Sequence, residues 1–205
     1  MREAFERIYE KNLWGGGSGA GSSPENTEGY RAFLKSFLKE NSIQSVVDLG
    51  CGDWQFSRYI DWSEISYTGI DVAESLVLEN KRKYGSENID FISLDITKSV
   101  LPSADLILIK DVFQHWGNSE ILSFIPKIKA YKYALITNCI TPSAKGQFIN
   151  QDIENGSFRP LDLRLPPFSL NCKLVYSFSK KPERFIENFF DAKKWRKKVY
   201  LLTSD

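Results

Sequence analysis

Histidine is almost missing from this chain: His115 is the only one in 205 residues. The three cysteines, Cys51, Cys139 and Cys172, lie far apart and form no CxxC pair. With so few soft ligands, neither a zinc site nor a disulfide framework is expected, and no metal of any kind. Long apolar runs are absent too. Nothing approaches the roughly 18–20 residues that a membrane-spanning helix needs. The stretch MREAFERIYE is charged and amphipathic with no apolar signal core, so a cytoplasmic protein is expected. An excess of one charge is also lacking. The 27 Lys and Arg stand against 26 Asp and Glu, leaving +1, and that balance gives no footprint for nucleic acid or an anionic membrane. One local basic run, Lys193, Lys194, Arg196, Lys197 and Lys198, reads as a solvated face.

What is present points to one folded domain over residues 1–205, a length that buries a sizeable core. Residues 1–43 hold two amphipathic helical stretches. Phe5, Ile8, Tyr9 and Leu13 mark the first; Tyr30, Phe33, Leu34, Phe37 and Leu38 mark the second, with an N-cap expected at Asn26 or Thr27. Between them lies WGGGSGAGSSP, Trp14 to Pro24, which reads either as a flexible linker or as a lid. Over 44–140, short apolar runs alternate with helical segments. SVVDLG (45–50), SYTGID (66–71), IDFISLD (89–95), ADLILIK (104–110) and YALITNC (133–139) read as strands, with helices near 54–61, 74–84 and 118–129. Apolar strands separated by helices predict a parallel sheet covered on both faces. Residues 141–205 begin with an Asn-, Pro- and Arg-rich excursion and end in two strands, near 172–179 and 197–204, expected to pair as an antiparallel edge hairpin.

Such sheets bind ligands beyond the carboxyl ends of their strands, which directs attention to Asp48–Asp53, Asp71, Asp95 and Lys110–His115. The most informative run is VVDLGCGDWQFS. A buried strand leads into a turn in which Gly50 and Gly52 let the backbone approach a ligand. A helix starting near Trp54 would aim amides at a carboxylate, and Asp48 would accept from an ammonium. That set is complementary to an amino-acid zwitterion. It lacks the third glycine of the GxGxxG dinucleotide fingerprint.

The VVDLGCGD run resembles the glycine-rich first motif of class I S-adenosylmethionine-dependent methyltransferases, and other landmarks follow in order. YTGID puts Asp71 where that family's acidic residue takes the ribose hydroxyls. FISLDIT puts Asp95 and Ile96 beside the adenine. ADLILIKDVFQHW puts Lys110 at the mouth of the active site. The resemblance implies a doubly wound, Rossmann-like seven-stranded sheet, mostly parallel, with S-adenosylmethionine as cofactor and S-adenosylhomocysteine as product. The segments IYEKNLWGGGSGAGS and GSFRPLDLRLPPFSL are similar to pieces of a group of small bacterial methyltransferases, which favours the lid reading. Cofactor contacts are therefore expected from Trp14, Gly16, Ser18, Asp48, Gly50, Gly52, Asp53, Asp71, Asp95, Ile96 and Lys110.

For the chemistry, His115 is the natural general base, since an imidazole near its ordinary pKa works close to neutrality. Asp111 stands four residues before it, so a helix would turn both to one side, letting Asp111 orient the ring or hold a substrate cation. The opposing reading makes His115 a hydrogen-bonded core residue. Arg159, Asp162, Arg164 and Trp116 are candidate substrate contacts, the arginines because their forks suit phosphate or carboxylate. The expected acceptor is a small molecule such as a sugar or nucleotide-linked sugar of surface-glycan biosynthesis. The alternatives are N-methylation of a phosphobase or protein side chain, or a silent cofactor-binding module. The fourth strand reads KDVF and lacks a (D/N)PPY signature, which argues against DNA. A monomer or homodimer is expected.

Overall fold

A computed structural model describes residues 2–96, 99–142, 146, 148–179 and 195–204. Seven strands form one sheet: β1 (Ser45–Leu49), β2 (Ser66–Asp71), β3 (Ile89–Ser93), β4 (Leu106–Lys110), β5 (Tyr133–Cys139), β6 (Lys173–Ser179) and β7 (Arg196–Thr203). Their order is β3-β2-β1-β4-β5-β7-β6. The first five are mutually parallel, and β7 runs antiparallel between β5 and β6. The strand order reverses between β1 and β4, and crossings of that kind open a crevice at the carboxyl ends.

Alternation along the central strands divides the core into two layers. Val47, Leu49, Ile107, Ile109, Ala134 and Ile136 face one way and pack with helices α1 (Arg2–Glu10) and α4 (Asn118–Ile128). Val46, Leu106, Leu108 and Leu135 face the other and meet α2 (Pro24–Glu40) and Val77 of α3 (Glu74–Tyr84). Tyr30, Leu34, Phe37 and Leu38 are the buried stripe of α2.

Two local expectations are corrected. Helix α2 begins earlier than Asn26, because Pro24 at its first position needs no N–H partner and the Ser23 hydroxyl accepts from the Asn26 amide at 3.4 Å. The helix expected near 54–61 is a single 3-10 turn, Ser57–Tyr59. Trp54 adopts a left-handed φ of 58°, which turns its indole into a buried aromatic group with Tyr67 and Phe91. No helix start therefore aims amides from that point. Among the described residues no helix is long and apolar enough to cross a membrane.

Candidate active site

A cavity of about 270 Å³ opens at the carboxyl ends of β1, β2 and β4. Asp48, Gly50, Asp71, Asp95 and Ile96 line one half; Lys110, Asp111, His115 and Trp116 line the other; Trp14 and Ser18 cover it. Gly50 closes the β1 turn at φ 69°, and a Cβ there would meet Val112 Cγ2 at 2.5 Å. The turn tolerates only glycine on both counts.

The carboxylates are held by the sheet. Asp71 accepts backbone amides from Gly52 and Ala73, each at 3.1 Å, which uses about half of a carboxylate's roughly four acceptor positions. Burial raises its pKa against those amides. Asp48 accepts the Tyr67 hydroxyl at 2.6 Å, and burial lifts its pKa to about 6, with Tyr67 and Lys110 pulling the other way.

Segment 14–22 is tied down across the cavity. The Ser18 amide donates to Asp53 Oδ2 at 3.2 Å, and the Ser18 hydroxyl accepts from the Asp53 amide at 3.0 Å. The Gly16 carbonyl accepts from Gln55 at 3.0 Å. Gly16, Gly52 and Asp53, expected as direct contacts, are not among the cavity-lining residues. Gly16 and Asp53 fasten segment 14–22 to the loop after β1, and Gly52 bonds to Asp71 and Asn80. Lys110 Nζ donates to the Gly21 carbonyl at 3.0 Å and to Asp111 Oδ2 at 2.6 Å.

Asp111 does not orient His115. Its backbone is left-handed, at φ 62°, and only a short 3-10 turn, Phe113–His115, follows, so the expected helical pairing never forms. Asp111 Oδ2 instead accepts from both Lys110 and Lys197. Burial alone would raise its carboxyl, but the two ammoniums hold it below the usual range. His115 Nδ1 lies 2.8 Å from the Ser157 carbonyl, which can only accept, so Nδ1 carries the proton. The Gln114 amide is fixed by accepting from Cys139 N at 2.8 Å and turns its NH₂ to His115 Nε2 at 3.3 Å. The ring faces the cavity beneath Trp14, with centroids 5.0 Å apart. Burial pulls its pKa down to about 4.

The excursion residues do not meet the cavity. Arg159 is 1% exposed and donates to the Phe113 carbonyl and the Asn118 side chain, both at 2.9 Å. Asp162 pairs with Arg164 at 3.1 Å and Lys198 at 3.5 Å. These guanidinium and carboxylate groups serve the scaffold because the loop is folded inward and its polar groups must be paired. Lys193 and Lys194 of the basic run lie outside the described residues. Lys197 departs from the solvated reading: it is 3% exposed and lines the cavity. Parity along β7 was the available signal, since Lys197 is two residues from the buried Val199.

Residues 47–129 match the family model described as a methyltransferase domain. Cephaeline 6'-O-methyltransferase of Carapichea ipecacuanha is 29% identical over 89 residues, 42% of this chain and 24% of that protein. A 23S rRNA (uracil(747)-C(5))-methyltransferase of Pectobacterium atrosepticum is 27% identical over 124 residues, 58% of this chain and 32% of that protein. The chain thus spans only a quarter to a third of these relatives. Among solved structures, the Burkholderia thailandensis 1,6-didemethyltoxoflavin-N1-methyltransferase, with its ligand and S-adenosylhomocysteine bound, superposes with a TM-score of 0.64 at 14% identity, covering 98% of this chain and 87% of that one. The Bradyrhizobium japonicum N-methyltransferase NodS gives 0.61 at 12%, covering 87% and 88%.

Proposed function

We propose that this chain, which has the fold of the class I S-adenosylmethionine-dependent methyltransferases and matches their domain model over 47–129, binds that cofactor in the cavity and methylates a small-molecule acceptor. The observation that carries the reading is convergence: Asp48, Asp71 and Asp95, from the ends of β1, β2 and the turn after β3, line one cavity with Lys110, Asp111 and His115 opposite.

The residues present fit the cofactor. Asp71 is buried, lines the cavity and keeps acceptor capacity for a pair of hydroxyls. Asp48 is a buried carboxylate suited to an ammonium, which would offset the charge burial that lifts its pKa. When bound, S-adenosylmethionine supplies an electrophilic methyl on a sulfonium.

The chain's main contribution is alignment, which in well-oriented reactions supplies roughly 7–11 kcal/mol. Segment 14–22, fastened by Ser18, Asp53 and Lys110, excludes water from above. His115 stays neutral near pH 7, and its Nε2 lone pair, held by the Gln114 NH₂ at 3.3 Å, serves a ligand hydroxyl or amine that displaces that amide. With a pKa of about 4, it orients an acceptor hydroxyl or amine better than it stores a proton.

Incubation with S-adenosylmethionine and a panel of sugars, nucleotide-linked sugars, hydroxy acids, amines and a short RNA, read as S-adenosylhomocysteine release, tests the reading. Small-molecule-dependent release supports it. Release with RNA alone overturns the acceptor class, and no release with any member overturns the activity.

A further inference from the structure

We propose that the carboxyl end of β4 and the amino end of the antiparallel β7 form a receptor for an anionic acceptor, a small molecule carrying a carboxylate or phosphate beside the hydroxyl or amine that is methylated. This rests on the methyl-transfer reading above and specifies the chemistry of its second substrate.

Two lysines share one carboxylate at this place. Lys110 Nζ and Lys197 Nζ both donate to Asp111 Oδ2, and both donate to the Gly21 carbonyl. Side-chain exposure is 2% for Lys110, 4% for Lys197 and 14% for Asp111. Within hydrogen-bond reach two ammoniums share one carboxylate. Asp48, the other acid that Lys110 acts on, is the one suited to the cofactor's ammonium. With the cofactor bound, an excess of positive charge therefore stays away from bulk water, where uncompensated charge is costly. Lys197 carries the strain of that excess: burial, with Lys110 beside it, pulls its pKa down to about 8. An ammonium has three donors, and Asp111 and Gly21 take two of those on Lys197.

A separate observation concerns the other carboxylate oxygen. Asp111 Oδ1 is buried and, among the described residues, receives no hydrogen bond. Leaving such an acceptor unmet is unfavourable, and a ligand hydroxyl or amine would meet it. The cluster therefore asks for two things at once: an anion for Lys197 and a donor for Asp111.

Topology separates this receptor from the cofactor half. Lys197 sits opposite Cys139 on the β5–β7 ladder, and β5 lies beside β4. Neighbouring strands are about 4.8 Å apart, so β7 is rooted roughly 14 Å from β1, on the side away from Asp71 and Asp95. Lys197 is rooted on the side away from the cofactor half, and its Nζ reaches from there to Asp111 just past the end of β4.

The test uses the full chain saturated with S-adenosylhomocysteine, after titration has established that this nucleoside binds. Melting temperature is compared in about 20 mM inorganic phosphate, acetate and chloride at matched ionic strength, for wild type and Lys197→Met. Phosphate or acetate is expected to raise the wild-type midpoint by about 3 °C or more over chloride, and to give no such gain in Lys197→Met. Lys197→Gln makes the same comparison if Lys197→Met does not fold. An equal gain in the variant, or no gain in wild type, overturns the proposal and leaves the cluster as a clamp on Gly21. A tenfold or greater loss of S-adenosylhomocysteine affinity in the variant overturns it by assigning the anion to the cofactor's own carboxylate. Failure of wild type to bind that nucleoside is a different result, and it removes the methyl-transfer reading itself.

Discussion

Lys197 and Asp111 meet as a buried ion pair although 86 residues separate them. The contact joins the penultimate strand of the sheet order to the mouth of β4, and with Lys110 it ties both to Gly21 above the cavity. The cluster predicts an asymmetry. Asp111→Ala leaves two buried lysines facing each other, whereas Lys197→Met leaves the neutral pair Lys110–Asp111. Removing one partner of a buried pair costs about 3–5 kcal/mol, so urea unfolding is expected to show a loss of that size for Asp111→Ala and a clearly smaller one for Lys197→Met. Equal losses would mean the excess positive charge is not felt.

Asp48 predicts a pH-dependent stability. A carboxyl raised by the fold favours folding while it is protonated. Its contribution is present below the unfolded value of about 3.9 and is lost as pH rises through about 6. Asp48→Asn stays neutral and keeps an acceptor for Tyr67. It is expected to exceed wild-type stability at about pH 8, by an amount on the order of 2–3 kcal/mol, and to match it near about pH 4. Denaturant midpoints at the two pH values read this directly, and no gain at the higher one would show that the carboxyl is not penalised by burial.

His115 works in the opposite sense. As pH falls the unfolded chain protonates first, from about 6.5, while the folded imidazole resists to about 4. Stability is therefore lost between those values. His115→Gln is expected to lose less than wild type over that window, and Asp48, present in both proteins, cancels from the comparison. An NMR titration of the lone imidazole should give a midpoint near 4; a midpoint near 6.5 would restore His115 as a conventional base.

Arg159 is predicted to matter for folding and not for the acceptor. Arg159→Ala removes hydrogen bonds to the Phe113 carbonyl, which keeps only the Trp116 amide, and to the partly buried Asn118 Oδ1, at a cost of about 1–3 kcal/mol. The expected outcome is a lowered melting temperature with an unchanged acceptor KM. An increase in KM without loss of stability would return Arg159 to the substrate.

The sheet was legible because its signal is local. YALITNC and SYTGID were bounded to the residue, since buried parallel strands read as unbroken apolar runs between turns. Asp48, Gly50 and Asp71 were legible for a related reason: a strand end fixes where its next side chain goes. What escaped depends on the path of the chain between strands. Trp54 follows a glycine turn and looks like a helix start, yet burial of its indole beside Tyr67 requires the left-handed backbone that stops a helix. The DVFQH spacing implies a helical face only if a helix forms, and the reversal at Asp111 prevents it. Arg159 looked like a ligand fork, and no sequence pattern reports that its loop is folded under α4's first turn. Lys197 was hidden by its neighbours, because a run of lysines reads as surface while strand parity sends alternate members inward.

The most direct test of the central claim is calorimetric titration of S-adenosylhomocysteine into wild type and Asp71→Ala, with NAD as control. Hydrogen bonds to a charged group contribute roughly 1.5–3 kcal/mol each, so losing the acceptor for two ribose hydroxyls should weaken binding at least about tenfold. The account predicts one site in wild type, that loss in a folded Asp71→Ala, and no heat from NAD. Binding of NAD without S-adenosylhomocysteine, or undiminished affinity in the variant, would contradict it.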